Sequence, residues 1–310
     1  MARSHYDDLH VTRFADVMVA VSDAKTVLVE PVRPRPCVLA RMMEFVDPAA
    51  CVEAKVRELG MFTCRRKLSR STTWVPFGAS EMVMRARRSG VIDGAVLACD
   101  GIGTIVCPTP ELMQGVGARM NGLFHTTRYS SLVRRAAGLG GLVPASETLL
   151  DPVAGLRLAF SAGMRNLAVT VAGADVDVIP SLRKVAEELG IRCVILSVCN
   201  TGISLEESML ARKADIIWAC AVEPVLLEAV RGRTLLQAGL KSPVFALSDA
   251  GVDLVLAPFG SSAAGVVREG RLLLGTGSEI SGGEQLGSAG PVRIMMRHAS
   301  RLPRVRSGRW

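Results

Sequence analysis

Short, nearly continuous apolar runs alternate with segments of helical apolar spacing through most of the chain. Apolar runs bounded by turn residues are typical of buried strands, and strands that alternate with helices indicate a parallel sheet covered on both faces. The predicted strands are residues 92–99, 167–172, 192–198, 216–220 and 244–247, and the predicted helices are residues 78–89, 152–162, 178–189, 204–213 and 224–230. The pattern therefore predicts an α/β fold with a mostly parallel, doubly wound sheet.

The N-terminal region predicts a β-hairpin ahead of this sheet. Two β-branched runs, residues 14–21 and 26–30, are separated by a polar turn at residues 22–25. A helix follows, because Asp47 suits an N-cap and Gly60 suits the position just beyond a helix end. The first part of the chain therefore combines a hairpin with the beginning of the α/β pattern.

Proline and acidic residues interrupt the alternation near residue 150. We therefore expect either one α/β domain or two α/β lobes that meet there, with a ligand cleft between the lobes. In the second case residues 1–150 contain the hairpin and the first lobe, and residues 151–259 form a Rossmann-like second lobe. Residues 260–310 are rich in glycine, serine and arginine, and we expect them to form a basic tail with weak order.

The composition indicates a globular protein. The chain has 310 residues, of which 49% are hydrophobic, but no apolar run approaches the roughly 18 to 20 residues that span a bilayer. Residues 1–10 lack the apolar core of a signal peptide, so we expect a cytoplasmic protein with no membrane partner. The net charge of +8 falls to about +2 without the six arginines of the last twenty residues. Since the remainder is close to neutral, we do not expect a nucleic-acid partner.

Thiol, acidic and small residues follow the predicted parallel strands. In open α/β sheets, ligands bind outside the carboxyl ends of the strands, where these residues would converge. Cys99 and Asp100 follow the strand at 92–99 and are the predicted catalytic thiol and acid. The predicted ligand-binding residues are Gly101, Gly103, Thr104, Asn200, Thr201 and Gly202. Residues 199–204 fit either an anion-binding turn or an ordinary strand-to-helix turn.

Nucleotide-binding motifs are incomplete in this sequence. Val106 stands where a dinucleotide fingerprint that begins at Gly101 needs its third glycine, and no lysine completes a Walker loop. Glu111, Asp175, Glu223 and His125 are further acid–base candidates, although a single histidine is more often a structural hydrogen-bonding residue. The sequence therefore gives candidate groups but no named reaction.

Eight cysteines are present, and no two have CxxC spacing. Cysteines in a cytosolic chain of this length are typically reduced core thiols, metal ligands or nucleophiles. Cys99, Cys199 and Cys220 fall at strand ends on the same predicted sheet edge, where three thiolates would suit zinc or an iron–sulfur cluster. One of them beside a cation or a helix N-terminus would instead be a low-pKa nucleophile. The sequence leaves these alternatives open.

Seven short motifs carry a family resemblance. They are residues 59–63 (LGMFT), 77–81 (FGASE), 99–104 (CDGIGT), 110–117 (PELMQGVG), 169–171 (VTV), 201–204 (TGIS) and 219–220 (AC). Together they resemble methanogenesis marker protein 8, a family of unknown function from methanogenic archaea with bacterial relatives, and the resemblance spans about residues 14–259. It implies a role in anaerobic one-carbon metabolism, including maturation of methyl-coenzyme M reductase or its cofactors. The family's turn often reads CEGCGT, so Ile102 stands in place of a second cysteine that a cluster would need.

Two classes of function remain open at this point. In the first, the protein is an enzyme or a cofactor-handling protein that binds a small anionic ligand, a cofactor or a metal at the sheet edge. In the second, it is a non-catalytic assembly or maturation factor that binds a protein partner through the basic segment at residues 64–70. Loss of ligand affinity in variants of Cys99 and Asp100 would favour the first class.

Overall fold

The computed structural model describes residues 8–14, 17–31, 47–220, 223–261, 270–289 and 291–304. The described strands are β1 (His10–Phe14), β2 (Val17–Ser22), β3 (Lys25–Pro31), β4 (Gly94–Cys99), β5 (Gly103–Cys107), β6 (Gly122–Thr126), β7 (Asn166–Ala172), β8 (Arg192–Val198), β9 (Ile216–Trp218), β10 (Leu236–Ala238), β11 (Val244–Ala246), β12 (Arg271–Thr276), β13 (Glu284–Ala289) and β14 (Val292–Ala299). The described α-helices are α1 (Pro48–Leu59), α2 (Ala79–Arg88), α3 (Pro110–Gly117), α4 (Ser130–Gly138), α5 (Pro152–Ser161), α6 (Ile179–Glu188), α7 (Leu205–Ala211), α8 (Pro224–Val230) and α9 (Asp249–Leu256). They form two sheets, with helices packed against them.

The smaller sheet is antiparallel, with strand order β3-β2-β1-β6. Its strands β2 and β3 are the predicted hairpin, and Asp23 and Ala24 in the turn have φ values of 50° and 61°. Positive φ at both central residues gives a turn whose twist matches that of the strands. β6 follows much later in the chain and pairs with β1, so it joins this sheet to the rest of the molecule.

The larger sheet has ten strands in the order β13-β14-β12-β10-β11-β9-β8-β7-β4-β5. Among the described strands, the pairs β4–β7, β7–β8, β8–β9 and β10–β12 are parallel, and the other five pairs of this sheet are antiparallel. The fold is α/β, but the prediction of a mostly parallel, doubly wound sheet is wrong. The sheet is mixed, with a parallel group at β4, β7, β8 and β9.

Most of the antiparallel strands arise where the sequence carries no clear strand pattern. β5 returns along β4 after a turn in which Gly101 and Gly103 have φ values of 78° and 95°. The strand β10 has three residues, too few to show a period. The apolar run that predicts β11 does not show that this strand lies antiparallel to its neighbours. Three further strands, β12, β13 and β14, come from the glycine- and serine-rich region after residue 260. These additions convert a parallel core into a mixed sheet.

The ten-stranded sheet includes strands from each of the three predicted segments, residues 1–150, 151–259 and 260–310. Apolar clusters cover its two faces, and alternate residues of β4 belong to different clusters: Leu97 to one and Val96 to the other. In the described part of the chain, no helix has the length and apolar character needed to cross a membrane.

The first helix has the ends that its sequence predicts. The Asp47 side chain accepts hydrogen bonds from the backbone N–H groups of Ala49 and Ala50, and Gly60 follows the helix with a φ of 63°. Capping of this kind satisfies the unpaired groups at a helix end. The position of α1 matters because it carries one wall of the site described next.

Candidate functional site

A cleft of about 1340 Å³ lies at the carboxyl ends of the parallel strands. Residues at or just after the ends of β7, β8 and β9 line it, namely Ala172, Cys199 and Cys220. The facing wall is built from α1, β6 and residues 74–81. A Cβ placed on Gly122 of β6 would lie 3.8 Å from the Cβ atoms of both Ala172 and Cys199, so β6 packs directly against the strand ends. This is the edge at which the sequence predicts a site.

Lys55 is a buried lysine in the wall of this cleft. It belongs to the face of α1 that also buries Cys51 and Leu59, and only 3% of its surface is exposed. Its Nζ donates a hydrogen bond to Oδ1 of Asn121, which also lines the cleft. The helix and this amide together fix the position of the amino group.

Burial controls the protonation of Lys55. The loss of hydration lowers the pKa of Lys55 to about 8, while Cys51, Cys199 and Asp100 act to raise it and Arg119 acts to lower it further. With this pKa, roughly one tenth of the amine is the neutral base at pH 7, far more than for an exposed lysine. Lys55 therefore offers either a cation or a nucleophilic nitrogen to a ligand in the cleft.

Cys199 occupies the turn between β8 and α7. Its φ of 54° lies in the left-handed region that side-chain-bearing residues rarely adopt, and such strain is frequent at functional sites. The turn is closely enclosed, because a Cβ placed on Gly173 would lie 2.8 Å from Cα of Asn200. Cys199 is partly exposed and lines the cleft. The turn thus presents a thiol to the same space as Lys55.

An arginine–tryptophan stack forms another part of the wall. The guanidinium carbon of Arg119 lies 3.8 Å from the centre of the Trp74 ring, and that of Arg70 lies 4.1 Å from it. Arg119 also pairs with Glu58 of α1. Stacking and pairing restrict the guanidinium, which lines the cleft as a second fixed cation.

Acidic side chains line the cleft as well. Asp175 and Asp177 follow β7, and burial together with the nearby Asp177 charge raises the pKa of Asp175. Glu81 is buried in the facing wall, where it accepts hydrogen bonds from Trp74 N at 3.0 Å and from Ser80 Oγ at 2.9 Å. Because Glu81 is occupied in holding the loop at 74–81, Asp175 is the more suitable acid for chemistry in the cleft.

The predicted catalytic pair lies outside the cleft lining. Asp100 is fully buried, and its carboxylate accepts hydrogen bonds from Arg66 Nε at 2.9 Å and from Phe62 N at 2.5 Å. Cys99 is also fully buried, and burial raises the pKa of its thiol, with a smaller contribution from Asp100. The structure gives both residues a place in the core, and a catalytic role for them stays a prediction.

Of the predicted binding residues after β4, the two glycines have structural roles in the turn and Thr104 lines the cleft. Gly101 N donates to Thr126 Oγ1 at 2.7 Å, and a Cβ on Gly103 would collide with the carbonyl oxygen of Leu149. Thr104 lines the cleft, although its hydroxyl already accepts a hydrogen bond from a backbone N–H at 2.8 Å. Of these three residues, Thr104 is the one placed to contact a ligand.

The predicted binding residues of the second turn are largely occupied by hydrogen bonds within the fold. The buried side chain of Asn200 donates to the carbonyl oxygen of Trp218 at 2.9 Å, and Gly202 N donates to Glu223 Oε1 at 3.1 Å. Thr201 is buried, with 6% of its surface exposed. These contacts shape the turn that presents Cys199, and a direct ligand contact by the three residues stays a prediction.

The proposed metal ligands are not gathered at one point. Cys199 and Cys220 line the cleft, whereas Cys99 is buried outside its lining. Within the described ranges, no group of three or more His, Cys, Asp or Glu side chains could hold a metal ion. A zinc or iron–sulfur site formed by these three thiols stays a prediction.

A buried histidine of β1, His10, belongs to a hydrogen-bond network of which the sequence gives no sign. His10 Nδ1 lies 2.7 Å from Thr126 Oγ1, and His10 Nε2 lies 3.0 Å from Tyr129 Oη. Tyr129 Oη in turn donates to Asp8. Burial lowers the pKa of His10, although Asp100 and Asp8 act to raise it. His125, the histidine that the sequence singles out, is exposed at the cleft lining.

The cleft residues that the sequence does not identify include Lys55, Arg119 and Asn121. Lys55 has a detectable signal, because it is a charged residue four positions after Cys51 and four before Leu59 on an apolar helix face. Arg119 and Asn121 carry no local signal. They reach the cleft because β6 pairs with β1 far away in the sequence.

Comparisons with known proteins identify the family of this chain but assign no activity to it. Residues 10–259 match a family described as an uncharacterised protein conserved in archaea (DUF2099). The chain is also 33% identical over 207 residues to an uncharacterised protein of Methanocaldococcus jannaschii, a match that covers 66% of this chain and 72% of the relative. No solved structure matches the chain. The more specific resemblance to methanogenesis marker protein 8 stays a prediction, but the chain belongs to this family of uncharacterised proteins conserved in archaea.

Proposed function

We propose that the protein binds a small organic anion in the cleft at the carboxyl ends of β4, β7, β8 and β9. The observation that carries this proposal is the buried Lys55 amino group in the cleft wall, beside the charge of Arg119. The Arg119 charge acts to lower the pKa of Lys55, and an anion bound beside the lysine would offset that repulsion and favour the charged form of Lys55. An anionic ligand therefore suits this wall electrostatically.

The size and the lining of the cleft favour a ligand as large as a coenzyme, or a substrate held together with a cofactor. Its volume of about 1340 Å³ is larger than that of most small-molecule sites, roughly 300–1,000 Å³. Trp74, Phe77 and Trp218 supply aromatic surface beside the polar groups. The resemblance to methanogenesis marker protein 8 would place such a ligand in anaerobic one-carbon or coenzyme metabolism in the cytoplasm, and we include this setting in the proposal.

Reversible binding tests the proposal directly. The purified full chain is titrated with small carboxylates, phosphates and sulfonates, and binding is followed by NMR and by the thermal unfolding midpoint. We expect at least one anion to bind and to raise the midpoint. Lys55→Gln keeps a group that hydrogen-bonds to Asn121 but removes the charge, so it should weaken binding by about tenfold or more, as for loss of a charged hydrogen bond.

Lys67→Gln is the matched control, because Lys67 is exposed and does not line the cleft. It should bind the same anion with unchanged affinity. Equal affinity in the two variants, or the absence of binding by all three classes of anion, would contradict the proposal.

The alternative class, an assembly factor, depends on the basic segment at residues 64–70. Cys64, Arg65 and Lys67 are exposed there, but Arg66 and Leu68 are buried. Of the four basic residues in this segment, only Arg65 and Lys67 are exposed for docking, so the cleft supports ligand binding more strongly.

A further inference from the structure

We infer that Lys55 is a nucleophile that forms a Schiff base with a carbonyl compound, and that the anion of the cleft is a small 2-oxo acid or an aldehyde with an acidic group. This inference rests on the proposed function, because it names the substrate class of the same cleft. It assigns the amino group a covalent role in addition to its charge.

The position of the amino group carries the inference. Lys55 projects from a capped helix, 3% of its surface is exposed, and it nevertheless lines a cleft of about 1340 Å³. Its hydrogen bond to Asn121 is donated through an N–H, so this bond does not involve the nucleophilic lone pair of the neutral amine. Imine-forming lysines in enzymes are held in this way, in apolar surroundings and next to another cation.

Burial and the Arg119 charge favour the neutral amine, against the opposing influence of Cys51, Cys199 and Asp100, and Arg119 offers a place for an anion. The groups that act on Lys55 are Cys51 from the same helix, Cys199 from the β8 turn, Asp100 from the end of β4 and Arg119 from the loop before β6. Burial is the largest influence and lowers the pKa of Lys55 to about 8. Arg119 is a fixed cation in the same wall, and its planar guanidinium suits the carboxylate of a 2-oxo acid.

The covalent step balances without any added oxidant or reductant. The neutral Nζ attacks the carbonyl carbon, and the carbonyl oxygen takes up protons as the carbinolamine forms and collapses. The oxygen leaves as water while a C=N bond forms. In total, one ammonium and one carbonyl compound give one protonated imine and one water molecule.

The chain supplies its own controls for a test of this step. The sequence contains six lysines, all within the described residues, and five of them are exposed: Lys25, Lys67, Lys184, Lys213 and Lys241. Lys241 also lines the cleft, so it separates reactivity from mere location in the cleft. Each lysine can be followed in the same sample, and the wild-type fold is kept.

The experiment traps the imine in the wild-type protein. The full chain is incubated with pyruvate and cyanoborohydride at pH 7, digested, and the reduced adduct at each lysine is measured by mass spectrometry. Hemithioacetals at cysteine are not reduced, so the stable adduct reports on amines. We expect Lys55 to carry roughly tenfold more adduct than any exposed lysine, since an amine with a lowered pKa is far less protonated at this pH. Acetone, which lacks the carboxylate, should label Lys55 less than pyruvate does.

Two results would overturn the inference. Adduct spread over the exposed lysines without enrichment at Lys55 would exclude the nucleophile, and equal labelling by acetone and pyruvate would exclude the anionic carbonyl ligand. If anions bind reversibly and Lys55→Gln weakens them while no imine is trapped, the Schiff-base inference fails alone. If no anion binds, the proposed function fails as well.

Discussion

Arg66 Nε lies 2.9 Å from Asp100 Oδ1, and neither side chain is exposed to solvent. Asp100 also accepts a hydrogen bond from Phe62 N, and Arg66 donates to the carbonyl oxygen of Val116 at 3.0 Å. This pair joins the end of β4 to the loop after α1 and to α3. Since α1 carries Lys55, the pair supports one wall of the cleft without lining it.

Asp100→Asn should destabilise the fold by about 3–5 kcal/mol, because it leaves the Arg66 guanidinium buried without a counter-charge. Urea unfolding followed by circular dichroism measures the loss. The control is Glu111→Gln, which breaks the exposed pair with Arg88 and should cost less than about 1 kcal/mol. Equal losses in the two variants would refute a structural role for Asp100. A stable Asp100→Asn variant that no longer binds the anion would support the catalytic role predicted from the sequence.

Gly103→Ala should destabilise the protein more than Gly163→Ala does. Both glycines have positive φ, 95° and 89°, and therefore share the strain of a side chain in that region, about 1–2 kcal/mol. A Cβ at Gly103 would also collide with the carbonyl oxygen of Leu149, whereas at Gly163 the space is open. The loss of unfolding free energy in Gly103→Ala minus the loss in Gly163→Ala measures the cost of the collision alone. Equal losses would show that the β4–β5 turn moves to avoid it.

The parallel part of the fold could be read from the sequence because its strands are long and apolar. β7 and β8 have seven residues each and lie between helices, so both their type and their parallel pairing follow from the pattern. β5 could not be read in this way, because its turn depends on Gly103 meeting Leu149, which lies far along the chain. The strands β12–β14 are held by pairing with β10 and with one another, which overrides a composition typical of loops.

The location of the site could be predicted from the sequence, but only some of its residues could. The rule that ligands bind at the carboxyl ends of strands locates the cleft edge and Cys199. The same rule fails for Asp100, because the strand after β4 is antiparallel and the turn directs this carboxylate toward Arg66. Lys55 reaches the cleft through the packing of α1 against a sheet edge, and a single sequence does not encode that contact as a local pattern.

The stability of the protein should fall as the pH decreases below about 6.5 because of His10. Burial holds the folded pKa of His10 below its ordinary value of 6.5, so the unfolded chain takes up a proton at higher pH than the folded protein does. The stability associated with neutral, buried His10 is fully present above pH 6.5. It is lost as the pH falls from 6.5 toward the pKa of His10 in the folded protein. Unfolding free energies from pH 8 to 5 should therefore decline less in His10→Gln than in the wild type.

His298→Gln is the control for this measurement, because His298 is exposed and is not among the groups that shift the pKa of His10. It should keep the wild-type dependence on pH. A wild-type slope in His10→Gln as well would show that another group carries the acid sensitivity.

Lys55→Met should change the pH dependence of stability on the alkaline side. The pKa of Lys55 is about 8 in the folded protein and 10.5 in the unfolded chain. Between these values the unfolded chain binds more protons, so wild-type stability rises with pH through this window. Below pH 8 the wild type carries the full cost of burying the charge, on the order of 3 kcal/mol. The advantage of Lys55→Met over the wild type should therefore be largest near pH 7 and should shrink toward pH 10.5.

Unfolding curves at pH 7, 8, 9 and 10 measure this difference, with Lys67→Met as the exposed control. If the Lys55→Met and wild-type stabilities stay parallel across the window, Lys55 is not a buried titrating amine, and the Schiff-base inference loses its chemical basis.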